Sequence, residues 1–169
     1  MHLLVLQHAR SEHPGIFQKF LKEDGHSWEV VHLDEGQEIP SIDSFDGLWV
    51  LGGPMDVWQE QDYPWLKKEK AFIKMAVEEK GIPFLGLCLG HQLLAESLGG
   101  VVGKSETAEV GVMEVQLTEE GAIGILFDGI PEKISCLQWH GAEIKKLPAG
   151  AKVLATSKDC AVQAMSWGP

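Results

Sequence analysis

Pro83-Phe84-Leu85-Gly86-Leu87-Cys88-Leu89-Gly90-His91-Gln92 decides how this chain is read. An apolar run, Ile82 to Leu87, passes through a G-x-C-x-G turn into a helical pattern, Gly90 to Leu98. Strand, sharp turn and helix in that order form the setting of a nucleophile elbow. Glycines two before and two after the cysteine let such a turn pack without side-chain clashes. Cys88 then stands at a helix N-terminus, where the positive end of the helix dipole favours thiolate. The plainer reading is a buried cysteine in an ordinary strand–helix turn, and the flanking glycines weigh against it.

The same alternation runs outward on the N-terminal side. Leu3-Leu4-Val5-Leu6 reads as a buried strand, Ile16 to Leu21 as a short helix closed by Gly25, and Trp28 to Leu33 as a second strand. Gly47 to Leu51 makes a third, stopped by Gly52-Gly53-Pro54. Residues 65–80 carry Leu66, Phe72, Ile73, Ala76 and Val77 at helical spacing, and Gly81 closes the helix. Strands alternating with helices predict a parallel sheet covered on both faces, an α/β doubly wound, flavodoxin-like fold in three layers. Strands starting at Leu3, Trp28, Gly47, Ile82 and Ile134 are expected in one sheet, the first four parallel. The second half changes character: Val110 to Thr118 alternates imperfectly, and Lys152 to Ser157 is followed too closely by Ala161 to Trp167 for a crossover. That last pair should be antiparallel. With no repeat and no linker, residues 1–169 read as a single domain.

Composition narrows the function. The 169 residues hold 14 basic and 25 acidic side chains, a formal charge of −11. Arg10 is the single arginine, and phosphate backbones require clustered cations, which argues against nucleic acid as a partner. Cys88, Cys136 and Cys160 form no CxxC pair, which reads as reduced thiols and a cytoplasmic location. No apolar stretch approaches the roughly 18 residues of a membrane span. The histidines and cysteines show no metal-ligand spacing, and no phosphate loop is present, so no cofactor is expected. Of the three thiols, Cys88 is expected to alkylate fastest.

Gly52-Gly53 lies at the end of the third strand, where ligands of open α/β sheets sit. Its backbone N–H groups could meet a developing oxyanion. Together with the cysteine turn it resembles the class I, triad-type glutamine amidotransferase family, over almost the whole chain. Tyr63-Pro64-Trp65-Leu66, Leu98-Gly99-Gly100, Gln138-Trp139-His140-Gly141, Leu147-Pro148 and Gln163-Ala164 further resemble its stand-alone, GMP-synthase-like branch. The resemblance implies that Cys88 attacks the side-chain amide of glutamine and forms a γ-glutamyl thioester with release of ammonia. It implies oxyanion contacts at Gly53 and Leu89. It also implies substrate contacts at Gly52, Gln92, His140, Gly141 and Ala142, and a synthetase or acceptor partner.

The family's general base comes from a His-Pro-Glu segment after the strand that ends near Trp167, and no such segment occurs here. His13-Pro14 is followed by Gly15 and falls in the first strand–helix loop. His140 matches the substrate-loop histidine, and His8, ending the first strand, reads as a structural residue or as one lining the cleft. The sequence therefore has a nucleophile without its base, suggests a C-terminal truncation, and predicts poor turnover. A γ-glutamyl peptidase on the same scaffold and a non-catalytic binding protein are the competing readings.

Overall fold

A computed structural model describes residues 1–168. Backbone contacts gather into two compact units, residues 1–97 and 98–169. In the first unit the strands are β1 (His2–Gln7), β2 (Ser27–His32), β3 (Gly47–Val50) and β4 (Phe84–Gly86), and the helices are α1 (Phe17–Glu23), α2 (Trp65–Lys74) and α3 (Leu89–Ser97). All four strands are parallel, in the order β2-β1-β3-β4. Leu3 to Leu6 of β1 are buried, as a central strand covered on both faces demands. Each such side chain contributes about 1.5–3 kcal/mol when fully buried. The chain leaves β1 for β2 on one side and returns to β3 on the other, so the strand order reverses between β1 and β3. Ligand crevices of open α/β sheets lie beyond the carboxyl ends of the strands at such a reversal.

Helix α2 turns Leu66 and Ile73 inward on one stripe, and Glu69, three residues after Leu66, shares that stripe fully buried. The helix predicted to run to Lys80 continues past Lys74 as a π-helical turn, Met75–Glu79, in which Lys80 N–H reaches back to the Met75 carbonyl. Gly81 ends it in the left-handed region, φ 65°.

The second unit is antiparallel. Its strands are β5 (Val101–Leu117), β6 (Lys133–Lys146), β7 (Lys152–Ser157) and β8 (Ala164–Ser166), in the order β6-β5-β7-β8, with the short helix α4 (Glu119–Ile123) after β5. The pairing of β7 with β8 is antiparallel, as their short connection requires. The strand beginning near Ile134 does not join the parallel sheet; it is part of β6 and pairs along most of its length with β5. Its pattern explains the difference. Ile134, Cys136, Gln138 and His140 are half-buried while Ser135, Leu137 and Trp139 are exposed, the alternation of a one-faced antiparallel strand. Val115, Leu117 and Ala155 form the buried core of this sheet, with Ile134, Cys136, Phe127 and Ala164 packed against it. The β5–β6 register shifts between Lys104 and Glu109, a bulge that leaves Glu109 buried.

Candidate active site

Cys88 sits between β4 and α3, at the carboxyl end of the parallel sheet. Its φ is +51°, the only positive value of a non-glycine among the described residues. A left-handed L-residue costs about 1–2 kcal/mol, and such strain concentrates where a side chain must be aimed. Two glycines make the turn possible. A Cβ on Gly86 would lie 2.6 Å from the Gly90 carbonyl, and one on Gly90 would lie 2.0 Å from the Val50 carbonyl oxygen. The start of α3 is thus pressed against β3 and β4 at distances no side chain permits. Leu87 N–H donates to the Val50 carbonyl at 2.9 Å and ties the elbow to the end of β3.

The chain beyond β3 passes through Gly52 and Gly53. A Cβ on Gly52 would stand 3.7 Å from Cys88 Cβ and 2.8 Å from the Glu12 carboxylate. One on Gly53 would meet Met55 Sδ at 2.6 Å, and His8 Cβ and a Leu89 methyl at 2.9 Å each. A side chain at Gly53 would thus press on His8 and Leu89, whereas at Gly52 the tight neighbour is the flexible end of Glu12 and Cys88 Cβ lies at ordinary contact distance. The Leu89 backbone N–H lies where it favours the charged form of the Cys88 sulfur. Gln92 is buried one turn along α3, and its backbone N–H donates to the Cys88 carbonyl at 3.2 Å.

Desolvation pushes the Cys88 thiol above its ordinary value, the Leu89 N–H opposes this, and the Glu12 charge adds to it. The helix N-terminus therefore does not bring the Cys88 thiol below its ordinary value. Cys88 is the exposed thiol of the three, whereas Cys160 is buried and pushed up to about 11, mainly by desolvation.

Behind the Gly52-Gly53 loop stands a pair of which sequence reading names His8 but not Glu69. His8 and Glu69 have fully buried side chains, with His8 Nε2 at 2.8 Å from Glu69 Oε1 and His8 Nδ1 at 3.0 Å from the Gly52 carbonyl. Burial draws the His8 pKa down. The hydrogen bond and charge of Glu69, with the Gly52 carbonyl and Asp34, outweigh it and leave the value above the ordinary histidine range. Glu69 carries a signal: a carboxylate on an apolar helical stripe requires a buried partner.

His140, Gly141 and Ala142 lie on β6, in the second unit. His140 Nδ1 faces the Ala142 carbonyl at 3.1 Å and Nε2 faces Glu109 Oε2 at 3.0 Å. Both ring nitrogens are engaged within this sheet, which weakens His140 as a substitute base. The Glu109 carboxylate also accepts from Ser157 Oγ at 2.6 Å and from Gln163 Nε2. Glu109, His140 and Cys160 offer ligand-type atoms within 4.8 Å of one another, but the carboxylate oxygens already have protein donors. Gly141 is exposed, and a Cβ there would meet nothing closer than Ala108 at 3.9 Å. Among the described residues no helix is long and apolar enough to cross a membrane.

Known proteins are similar to this chain in sequence and in fold. The family model "Glutamine amidotransferase class-I" matches residues 16–167. A glutamine-hydrolyzing GMP synthase subunit of Methanocaldococcus jannaschii is 36% identical over 96% of this chain and 80% of its own. The Thermococcus kodakarensis protein of the same name is 44% identical over 52% of this chain and 45% of its own, so the chain matches about half the length of that relative. Among solved structures, a glutamine amidotransferase of Thermotoga maritima superposes with a TM-score of 0.91 at 29% identity, covering 99% of this chain and 72% of that one. With its elbow and glycine loop inside the matched span, the chain belongs to the class I glutamine amidotransferase family.

Proposed function

We propose that Cys88 is the nucleophile of a glutamine-hydrolysing site that releases ammonia. The observation that carries this reading is the positive φ of Cys88, held between Gly86 and Gly90 and set against the Gly52-Gly53 loop. The sulfur, once deprotonated, attacks the carboxamide carbon of glutamine. The carbonyl oxygen becomes an oxyanion that collects the N–H groups of Gly53 and Leu89. The C–N bond breaks, a proton passes to the leaving nitrogen, and ammonia departs from a γ-glutamyl thioester. Water then adds to the thioester, glutamate leaves, and the thiol is restored. Within the first unit, Gly52 and Gln92 are assigned to the substrate.

The family match runs through both compact units, which supports treating them as one domain. The relatives are named as one component of a GMP synthase, which supports a synthetase partner that consumes the ammonia. The sequence contains no His-Pro-Glu segment, so slow glutamine turnover is expected from these 169 residues alone. Acylation at mildly alkaline pH provides a test in which solvent hydroxide takes the thiol proton in place of that base. A γ-glutamyl thioester, whose thiolate leaving group needs no proton, should acylate Cys88 in one turnover, read by intact mass and peptide mapping. Cys88→Ala should abolish the adduct. Absence of acylation from a folded protein whose Cys88 still reacts with iodoacetamide would overturn the proposal. Faster acylation from a γ-glutamyl dipeptide than from glutamine would reassign the substrate.

A further inference from the structure

We propose that the buried His8–Glu69 pair is a positioning device that aims the Gly53 N–H at the oxyanion; this rests on the acyl-transfer reading of Cys88. The peptide between Gly52 and Gly53 takes its carbonyl from Gly52 and its N–H from Gly53, and no peptide bond among the described residues is cis. In a planar trans peptide the C=O and N–H point in opposite directions. Whatever holds the Gly52 carbonyl therefore also sets the direction of the Gly53 N–H.

His8 holds that carbonyl. A carbonyl oxygen can only accept, so the Nδ1 at 3.0 Å must carry hydrogen. Nε2 faces Glu69 Oε1 at 2.8 Å, and the proton between them makes either an imidazolium–carboxylate or a neutral pair. In both forms Nδ1 remains the donor, so the brace survives transfer of that proton. Glu69 Oε2 is buried with no hydrogen-bond partner among the described residues, so the carboxylate relies on His8. A proton held on the ring strengthens the bond to Gly52 and polarises the whole peptide, making the Gly53 N–H a better donor.

The surroundings fit an aiming role. The Gly52-Gly53 backbone has no side chain to anchor it, and glycine loses more freedom on ordering than any other residue. His8 follows the last residue of β1 and Glu69 belongs to α2, so the loop after β3 is fastened to two other elements of the first unit. A loop that only needed to turn would not require a fully buried ion-pair partner behind it.

Three measurements test the proposal. The Gly53 amide nitrogen shift in NMR responds to hydrogen bonding at the preceding carbonyl. It should move in His8→Leu and stay near the parent value in Glu69→Gln, where a neutral ring can still donate from Nδ1. The rate of Cys88 acylation by a γ-glutamyl thioester should fall about 10²-fold in His8→Leu, the scale of a misplaced catalytic group, and less in Glu69→Gln. Alkylation by iodoacetamide passes through no oxyanion and should stay within about twofold in both variants. A folded His8→Leu protein with an unmoved Gly53 amide, or with parental acylation, would overturn the brace. Equal losses in acylation and alkylation would also overturn it, since they would mark general disorder at Cys88. Should His8→Leu not fold, the parent protein decides across the titration of His8: a Gly53 amide and a ratio of acylation to alkylation rates that move together with the ring support the brace, and an unchanged amide and ratio refute it. Failure of the parent protein to acylate, with the Gly53 amide still responding to His8→Leu, would sink the acyl-transfer reading and leave the brace as a purely structural contact.

Discussion

Gly90→Ala puts the packing of the elbow to a direct energetic test. The added Cβ would lie 2.0 Å from the Val50 carbonyl oxygen, 2.7 Å from its carbonyl carbon and 3.0 Å from its Cβ. Ordinary non-bonded carbon contacts fall at about 3.5–4.0 Å, so α3 or the end of β3 must move by roughly 1 Å or more. The opposing group is mainly backbone, so no rotamer change relieves the clash. Overpacking a core costs about 1–3 kcal/mol, and a backbone obstacle places this site at the upper end. The displaced Val50 carbonyl also accepts Leu87 N–H at 2.9 Å, and losing that bond adds about 1 kcal/mol. Alanine's better helix propensity returns about 1 kcal/mol. The net is a destabilisation of about 3 kcal/mol, or about 6–12 °C in Tm at the 2–4 °C per kcal/mol typical of chains near this size. Thermal and urea unfolding followed by circular dichroism would measure it. Gly141→Ala is the control: its nearest neighbour is at 3.9 Å, and its effect should stay within about 0.5 kcal/mol. A Gly90→Ala protein melting within about 2 °C of the parent would refute the close approach of α3 to β3.

Two further outcomes concern Cys88. Cys88→Gly should be more stable than Cys88→Ala by about 0.5–1 kcal/mol in denaturant unfolding, because glycine relieves the left-handed strain at φ +51° and alanine keeps it; equal stabilities would argue against that backbone conformation. Glu12→Gln removes a negative charge that raises the Cys88 thiol pKa, so the midpoint of its pH–alkylation curve should shift down and its rate below that midpoint should rise; an unchanged curve would place Glu12 out of electrostatic reach.

Legibility follows the range of the forces involved. The elbow can be read because its rules are local: two glycines, one cysteine and a strand-to-helix change within a few residues. The four parallel strands can be read because a central strand buried on both faces shows as an unbroken apolar run, as in Leu3 to Leu6. The Ile134 strand is misplaced from sequence because Ile134, Leu137 and Trp139 look equally apolar along the chain. In the structure Leu137 and Trp139 face outward while Ile134 is half-buried. The assignment of that strand depends on the long partner β5, and no short window reveals pairing between residues such as Met113 and Cys136.

The site divides along the same line. Cys88, Leu89 and Gln92 occupy one turn and the start of one helix, and a motif can carry them. His8 and Glu69 are 61 residues apart, and Glu109 reaches Gln163 across 54. Each member of those clusters, taken alone, is an ordinary polar residue beside a strand or helix. The trace they leave is a misfit. Glu69 occupies an apolar stripe between Leu66 and Ile73, where a charge without a partner costs several kcal/mol. That cost requires a partner somewhere in the fold, and a histidine at the end of the central strand is one of the few groups that can both neutralise it and donate to a neighbouring carbonyl. The elbow aims the sulfur through local sterics, whereas the glycine loop beside it has no side chains with which to aim itself. Its direction must come from distant parts of the chain, and the fold supplies that direction through His8.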